Sequence, residues 1–328
     1  MTLRRLRHGS FVLLALAAAV HAGWWVVPIR DPVADMTPGI LDVHVHTAGI
    51  GAGGSGACVS PGLRESAESG VYLRAFGASI EEPEREGDRV VLAHLSASVQ
   101  RSRLAGKAVV LALDGAVDKT GHLDRTRTQV YVPNDFVARE TAQYPNLLFG
   151  ASVNPYRFDA LDRLERVSAQ GSVLVKWIPA IMRIDPSDHR IVPFYRKLRA
   201  LGLPLLVHAG RELAFGDAED AFGDPSRLRL ALAQGVTVIA AHFASTGSAP
   251  GRLGGGEYFE RLLPMFQEFP NLYADVSSLT QINWLGYLAR ALAYRGASER
   301  MIYGSDWALQ CFPLVPPGTR FPGSRPGN

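Results

Sequence analysis

The sequence lacks the charge imbalance that favours binding to nucleic acid. It contains 34 lysines and arginines against 31 acidic residues, which gives a formal net charge of +3. Arg4, Arg5 and Arg7 account for this entire excess, and the remainder of the chain is balanced. No basic face is therefore expected for the phosphate backbone of DNA or RNA, and we predict no nucleic-acid partner.

Cysteine is also scarce. The 328-residue chain has two, Cys58 and Cys311, so it can form at most one disulfide within the chain. Whether the two thiols can pair depends on the separation of their Cα atoms, which the sequence does not give. A bridge and two free thiols both stay open at this point.

A helix is missing where a dinucleotide-binding motif needs one. Gly51, Gly53 and Gly56 fit the spacing GxGxxG, but the sequence CVSP follows at 58–61. A dinucleotide site requires the N-terminus of a helix directly after the glycines. We interpret this segment as a loop.

Residues 1–30 form a separate segment. Basic residues precede an apolar run at 11–20, which is typical of a signal peptide. The apolar stretch continues through Trp24 and Trp25 to about 17 residues, the lower limit for a membrane span. We therefore expect either an uncleaved N-terminal membrane anchor or a cleaved signal peptide. The protein would then be exported, facing the periplasm from the inner membrane or free within the periplasm.

Two histidines near the start of the remaining chain suggest a metal site. His44 and His46 lie in the apolar sequence LDVHVHT at 41–47. In a strand, residues i and i+2 share one face, so the two imidazoles would converge at the strand's end. Histidine is the commonest metal ligand, and burying two such rings is costly unless a partner engages their nitrogens.

Apolar runs of strand length recur along the chain and alternate with helix-like stretches. The runs lie at 41–47, 108–113, 147–153, 172–175, 203–207, 236–241, 271–274 and 301–305. The helix-like stretches lie at 88–104, 135–143, 157–169, 192–200, 225–233, 258–268 and 284–293. This alternation predicts an α/β fold with a parallel sheet, and eight units indicate a (β/α)8 TIM barrel. We expect one barrel domain over residues 31–311, since 47% of the chain is hydrophobic.

Polar residues follow several of these runs at the end where a TIM barrel carries its active site. Lys176, His208, His242 and Asp306 occupy such positions on the predicted fourth, fifth, sixth and eighth strands. Together with the HxH pair, this order resembles the amidohydrolase superfamily. The segments LVKWIP, PLLVHAG and YGSDW are most similar to its amidohydrolase-related branch.

The resemblance implies that His44, His46, His208 and Asp306 bind a divalent metal. Such nitrogen and carboxylate ligands suit zinc, which we prefer, or manganese, iron or nickel. The resemblance further implies that Asp306 transfers a proton and that His242 polarises the substrate carbonyl or orients the water.

Lys176 leaves the number of metals open. In two-metal relatives the corresponding lysine carries a carbamate that bridges both ions, whereas in many one-metal relatives it remains an ammonium. We favour one metal, with two metals and a carbamylated Lys176 as the alternative. As an ammonium, the side chain could pair with a substrate carboxylate or with Asp306.

A small-molecule substrate is the expected partner. Arg211, Asn154 and Trp177 follow predicted strands and are possible substrate contacts, although structural roles are equally open. Residues 312–328 carry five prolines and three glycines and cannot form a helix. We therefore expect an irregular tail and a barrel that lacks its eighth helix.

Three functions remain open. The first, which we favour, is metal-dependent hydrolysis of an amide, ester, lactone or phosphoester bond. The second is non-oxidative decarboxylation, which members of the same branch perform with the same ligands. The third is an exported metal-binding protein with a degenerate site.

Overall fold

The computed structural model describes residues 39–65, 74–79, 81–246, 256–279 and 286–308. They belong to one unit of the chain, Pro38–Asn328. The segment 1–30, Cys311 and the tail at 312–328 lie outside the described residues, so the pairing of the two cysteines stays open, and the domain boundaries and missing eighth helix stay predictions.

Within the described residues, eight parallel strands form the framework, as the alternating sequence predicted. Their backbones pair in the orders β1-β2-β3 and β4-β5-β6-β7-β8. The strands are β1 Ile40–His46, β2 Ala105–Leu111, β3 Leu147–Gly150, β4 Val175–Trp177, β5 Leu205–Gly210, β6 Val238–Thr246, β7 Leu272–Asp275 and β8 Met301–Ile302.

Backbone contacts join the two groups of strands into a ring. Between β3 and β4, Ala151 and Val175 form a parallel bridge. Between β8 and β1, the amide of Val43 donates to the carbonyl of Tyr303 at 3.1 Å. The first and last strands are therefore neighbours, as barrel closure requires.

The strands are buried because side chains pack on both of their faces. Every residue of β5 and β6 is buried, as expected for parallel strands covered on both sides. The barrel interior contains a small apolar cluster: Val43, Val109, Leu111, Leu174, Leu206, Ile239 and Ala241. A larger apolar cluster includes residues from strands and helices.

The helices are short, and the longer ones are amphipathic. They are α1 Pro61–Arg64, α2 Glu82–Glu86, α3 Arg89–Arg101, α4 Asn134–Thr141, α5 Ala160–Ala169, α6 Pro179–Met182, α7 Val192–Leu201, α8 Arg229–Ala233, α9 Glu257–Leu262, α10 Met265–Glu268 and α11 Tyr287–Ala293. In α5 the buried residues are Ala160, Leu164 and Val167, whose spacing places them on one helical face.

Two predicted helices differ from the structure. The stretch 258–268 is two helices, α9 and α10, separated at Leu263 and Pro264. Proline lacks the backbone N–H that a helix interior needs, so it is tolerated only near the start of the second helix. The stretch 225–233 begins as a 3-10 turn at Pro225–Leu228 before α8.

The glycine-rich segment is a loop with one 3-10 turn at Ala52–Gly54, and a buried carboxylate holds it. Asp88 accepts hydrogen bonds from the amides of Ile50 at 3.0 Å and Gly51 at 2.9 Å. It also accepts from the hydroxyl of Ser55. The loop therefore has a structural anchor within the protein.

The expectation of an exported, membrane-anchored protein is corrected. The longest described helix, α3, has 13 residues, which corresponds to about 20 Å, while a bilayer core is about 30 Å thick. Among the described residues no helix is long and apolar enough to cross a membrane. By this finding, the assignment to the inner membrane or periplasm was wrong. The segment 1–30, on which that assignment depended, lies outside the described residues.

Candidate active site

The two histidines of β1 converge as the strand pattern predicted. His44 is fully buried and His46 is 9% exposed. Their Nε2 atoms lie 3.2 Å apart. This spacing brings two potential ligand atoms to one point at the carboxyl end of β1.

Barrel closure brings Asp306 to the same point. Its amide donates to the carbonyl of His44 at 2.8 Å, and its backbone adopts a left-handed conformation with φ of 54°. The carboxylate oxygen Oδ1 then lies 3.3 Å from Nε2 of His44 and 3.0 Å from Nε2 of His46. Three ligand atoms from β1 and the segment after β8 thus share one site.

Asp42 stabilises this closure. Its Oδ1 accepts hydrogen bonds from the amides of Ser305 at 3.0 Å and His44 at 3.1 Å. The residue is buried, and burial is the main cause of its raised pKa. Asp42 therefore links β1 to the segment that carries Asp306.

His242 enters from β6 and completes a group of possible ligands. Its Nε2 lies 3.9 Å from Oδ2 of Asp306. Ligand atoms of His44, His242 and Asp306 all lie within 4.8 Å of one another. His242 begins three successive residues with positive φ, at 57°, 52° and 52°. Such strain is uncommon in non-glycine residues and concentrates at functional sites.

Lys176 also reaches the site. Its side chain is almost completely buried, and Nζ lies 2.8 Å from Nε2 of His44. The ammonium can donate to that nitrogen because the opposite nitrogen of the ring, Nδ1, is 2.8 Å from Asp275. The sequence prediction that strand 4 contributes a lysine to the site agrees with this position.

His208 lies beside this group but its Nε2 points elsewhere. Its ring centroid is 5.0 Å from that of His242. The Nε2 atom lies 3.2 Å from the carbonyl oxygen of Arg211 and 3.7 Å from the buried carboxylate of Glu212. Of the four predicted ligands, His44, His46 and Asp306 therefore come together, His242 lies close to them, and Nε2 of His208 lies near Arg211 and Glu212 instead.

Asp275, at the end of β7, contacts both a turn and two histidines of the site. Its Oδ2 contacts Nδ1 of His44, and its Oδ1 accepts from the amide of His242 at 3.0 Å. It also accepts from both the amide and the hydroxyl of Ser277, which does organise the turn. A buried acid at the end of β7 was the one sequence signal for this residue.

Burial and mutual contact shift the pKa values of these groups. Desolvation lowers the pKa of His46 to about 4 and that of His242 to about 3. Desolvation also lowers the pKa of Lys176 to about 8. For Asp306, burial alone would raise the pKa, but His44 and the other nearby rings hold it well below its usual range.

The three possible substrate contacts have different surroundings. Trp177 is fully buried against Phe194 and Tyr195, which lie on α7, and its indole nitrogen donates to the carbonyl of Val153 at 2.7 Å. It therefore packs in the core between strand and helix. Arg211 is exposed beyond the end of β5.

The Asn154 side chain forms its hydrogen bonds with backbone groups. Its amide nitrogen donates to the carbonyls of Gly115 at 2.9 Å and Met182 at 2.8 Å. Its side-chain oxygen accepts from the amide of Tyr156 at 3.0 Å. The residue joins three segments at the barrel mouth, which is a structural role.

The donor set fits a divalent cation. Oδ1 of Asp306 is buried and has no hydrogen-bond partner among the residues that the structure describes, although two imidazole nitrogens lie close to it. In a tetrahedral site with bonds of about 2.0–2.1 Å, neighbouring ligand atoms are about 3.3–3.4 Å apart. The observed separations of 3.0, 3.2 and 3.3 Å are close to that value.

Comparison with known proteins agrees with this architecture. A family model described as amidohydrolase matches residues 42–316. None of the curated proteins matches the sequence.

Several solved structures are similar. An uncharacterized TIM-barrel protein from Bordetella bronchiseptica is 15% identical, with 85% of this chain and 88% of that chain covered and a TM-score of 0.54. A probable 2-pyrone-4,6-dicarboxylic acid hydrolase from Acinetobacter baumannii is 16% identical, with 84% and 87% covered and a TM-score of 0.51. A 2,6-dihydroxybenzoate decarboxylase is 15% identical, with 83% and 88% covered and a TM-score of 0.48. The first two likenesses confirm the predicted TIM barrel.

Proposed function

Since the chain belongs to the amidohydrolase family, a family of metal-dependent enzymes, we propose that it is a hydrolase of small molecules. The bond cleaved is an amide, ester, lactone or phosphoester. The observation that supports its metal dependence is the convergence of His44, His46 and Asp306 within 3.0–3.3 Å of one another. Buried nitrogens and a carboxylate at this spacing suit one divalent cation.

The proposed ligands are His44, His46 and Asp306, with His242 or His208 as the fourth. A bound cation would act as a Lewis acid and lower the pKa of a coordinated water to about 7. Zinc is the preferred ion, and manganese, iron and nickel accept the same donors. His242 is the stronger candidate because a ligand atom of its ring lies within 4.8 Å of those of His44 and Asp306.

Asp306 serves as the general base. Its low pKa keeps it a carboxylate at neutral pH. Oδ1 lies toward the histidines of β1, and Oδ2 lies toward His242, so one oxygen can bind a cation while the other takes a proton from water. The proton then returns to the leaving group.

Lys176 lies beside the proposed cation. Its Nζ is 2.8 Å from Nε2 of His44, and burial lowers its pKa to about 8. One cation with an unmodified Lys176 is the preferred form, and two cations with a carbamylated Lys176 are the alternative.

Metal analysis and product analysis together test the proposal. We expect the purified full chain to hold about one divalent metal per molecule, and His44→Ala to lose it. Two metals with a carbamylated Lys176 would overturn the one-cation choice, and protein without metal after incubation with zinc would overturn the site.

The reaction requires its own assay. A panel of amides, esters, lactones and phosphoesters, some bearing carboxylates, is expected to yield hydrolysis products. Release of carbon dioxide without hydrolysis would replace the proposal with decarboxylation. His122→Ala serves as a control because that histidine is exposed and contacts Thr120 outside the site.

A further inference from the structure

The hydrogen bonds around Asp275 indicate which atoms of the site carry protons. Oδ2 of this buried carboxylate lies 2.8 Å from Nδ1 of His44. Oδ1 accepts from the amide of His242 at 3.0 Å, the amide of Ser277 at 3.1 Å and the hydroxyl of Ser277. An ionised carboxylate only accepts hydrogen bonds, so the single hydroxyl proton of Ser277 is directed to Asp275.

The same hydroxyl oxygen contacts His242. Oγ of Ser277 lies 2.6 Å from Nδ1 of that ring. Because its only proton is already donated to Asp275, Oγ can take part in this second contact only as an acceptor. Nδ1 of His242 must therefore carry the hydrogen.

We propose that Ser277 is a positioning residue that fixes His242 as the Nδ1–H tautomer. One carboxylate then sets the protonated nitrogen of two histidines on different strands: Asp275 acts on His44 directly and on His242 through Ser277. Both rings present an unprotonated Nε2 to the site. Partners of this kind orient metal-binding histidines and raise the basicity of the ligand nitrogen.

The tautomer decides what His242 can do. The unprotonated Nε2 of His242 lies 3.9 Å from Oδ2 of Asp306. Both atoms are hydrogen-bond acceptors, so they cannot form a hydrogen bond with each other. A cation or a water proton fits between them. Stabilising an oxyanion would require a proton on Nε2, whereas the contact with Ser277 places the ring's proton on Nδ1. His242 therefore binds the cation or orients water.

The tautomer can be measured on the metal-free protein. Long-range nitrogen–proton correlation spectra of protein labelled with ¹⁵N-histidine distinguish the two neutral forms. His242→Gln identifies the signals by their loss. We expect a protonated Nδ1 and an unprotonated Nε2. A protonated Nε2, or a mixture of the two forms, in the unmodified chain would overturn the proposal.

Variants test whether Ser277 is the cause. Ser277→Ala is expected to produce a mixture of His242 tautomers and to weaken zinc affinity about 10-fold or more. Ser277→Thr keeps a hydroxyl and should restore both. Ser278→Ala is the matched control, because the hydroxyl of Ser278 lies 2.8 Å from that of Ser245. An unchanged tautomer in Ser277→Ala would show that Ser277 does not set it.

The functional meaning of this inference rests on the proposed metal site, but its test does not. If the tautomer is found and no zinc binds, the metal site is wrong and the role of Ser277 stands. If zinc binds and His242 carries its proton on Nε2, the metal site stands and the role of Ser277 is wrong.

Discussion

Nδ1 of His44 lies 2.8 Å from Oδ2 of Asp275, although 231 residues separate the two in sequence. Their strands, β1 and β7, are not adjacent, and the segment after β8 passes between them. At Gly304 of that segment, a Cβ atom would lie 2.9 Å from Cβ of His44 and 3.1 Å from Cβ of Asp275. The contact therefore depends on the absence of a side chain at Gly304.

Gly304→Ala is expected to weaken metal binding. The added methyl group must displace His44, Asp275 or both, which disturbs the hydrogen bond that orients the His44 ring. Loss of such a partner typically costs about 10- to 100-fold in metal affinity. Competition with a chromogenic chelator measures the change. Gly62→Ala is the control, since a Cβ there meets nothing within 4 Å; equal affinities in the two variants would contradict the argument.

Asp306→Asn is expected to lower kcat by about 10²- to 10⁴-fold while KM changes little. The amide cannot accept a proton from water, and a base acts mainly in the transition state. Because Asp306 is also a proposed ligand, the kinetics are measured at saturating zinc with bound metal determined in the same samples. A variant with full metal content and undiminished kcat would exclude Asp306 as the base.

The sequence predicts much of this site because strand geometry is simple. Alternation along β1 places His44 and His46 on one face, and parallel strands bring their carboxyl ends to the same edge of a barrel. The same rule should have excluded Trp177 as a substrate contact. Lys176 points into the barrel, so its neighbour must point to the helices, where Trp177 indeed packs on Phe194.

Other features depend on contacts that no local pattern encodes. The orientation of the His208 ring follows from the nearby carbonyl of Arg211. The role of Asp275 follows from Ser277 and from histidines on two other strands. Predicting either feature requires the three-dimensional structure, because barrel closure and loop conformation decide which residues contact His208 and Asp275.

Arg157→Ala is expected to destabilise the fold by about 3–5 kcal/mol. Arg157 is buried and donates two hydrogen bonds to Asp114, one of them 3.1 Å from Nε to Oδ2. Removing the guanidinium leaves a buried carboxylate without its counter-charge. Urea unfolding followed by tryptophan fluorescence gives the free energy of unfolding.

The matched control for this variant is Arg190→Ala. The Arg190 side chain is 81% exposed and pairs with Asp188, so its loss should cost about 0–1 kcal/mol. A cost below about 1 kcal/mol for Arg157→Ala as well would show that Asp114 is solvated or protonated at no penalty.

The metal-free protein is expected to lose stability as the pH falls from about 6.5 to about 4. Burial lowers the pKa of His46 from 6.5 to about 4 and that of His242 from 6.5 to about 3. In this window the unfolded chain binds protons on these rings and the folded chain does not, so acid favours unfolding. The loss is on the order of 3 kcal/mol for each ring.

Urea unfolding of metal-free protein at a series of pH values measures this slope. In the double variant His46→Gln and His242→Gln, the slope between pH 6.5 and about 4 should flatten, because the two groups that take up protons only after unfolding are gone. Saturating zinc should raise the free energy of unfolding of the unmodified chain across this window, since the cation binds the folded chain. A slope that is equally steep in the double variant would assign the acid sensitivity to groups outside the site.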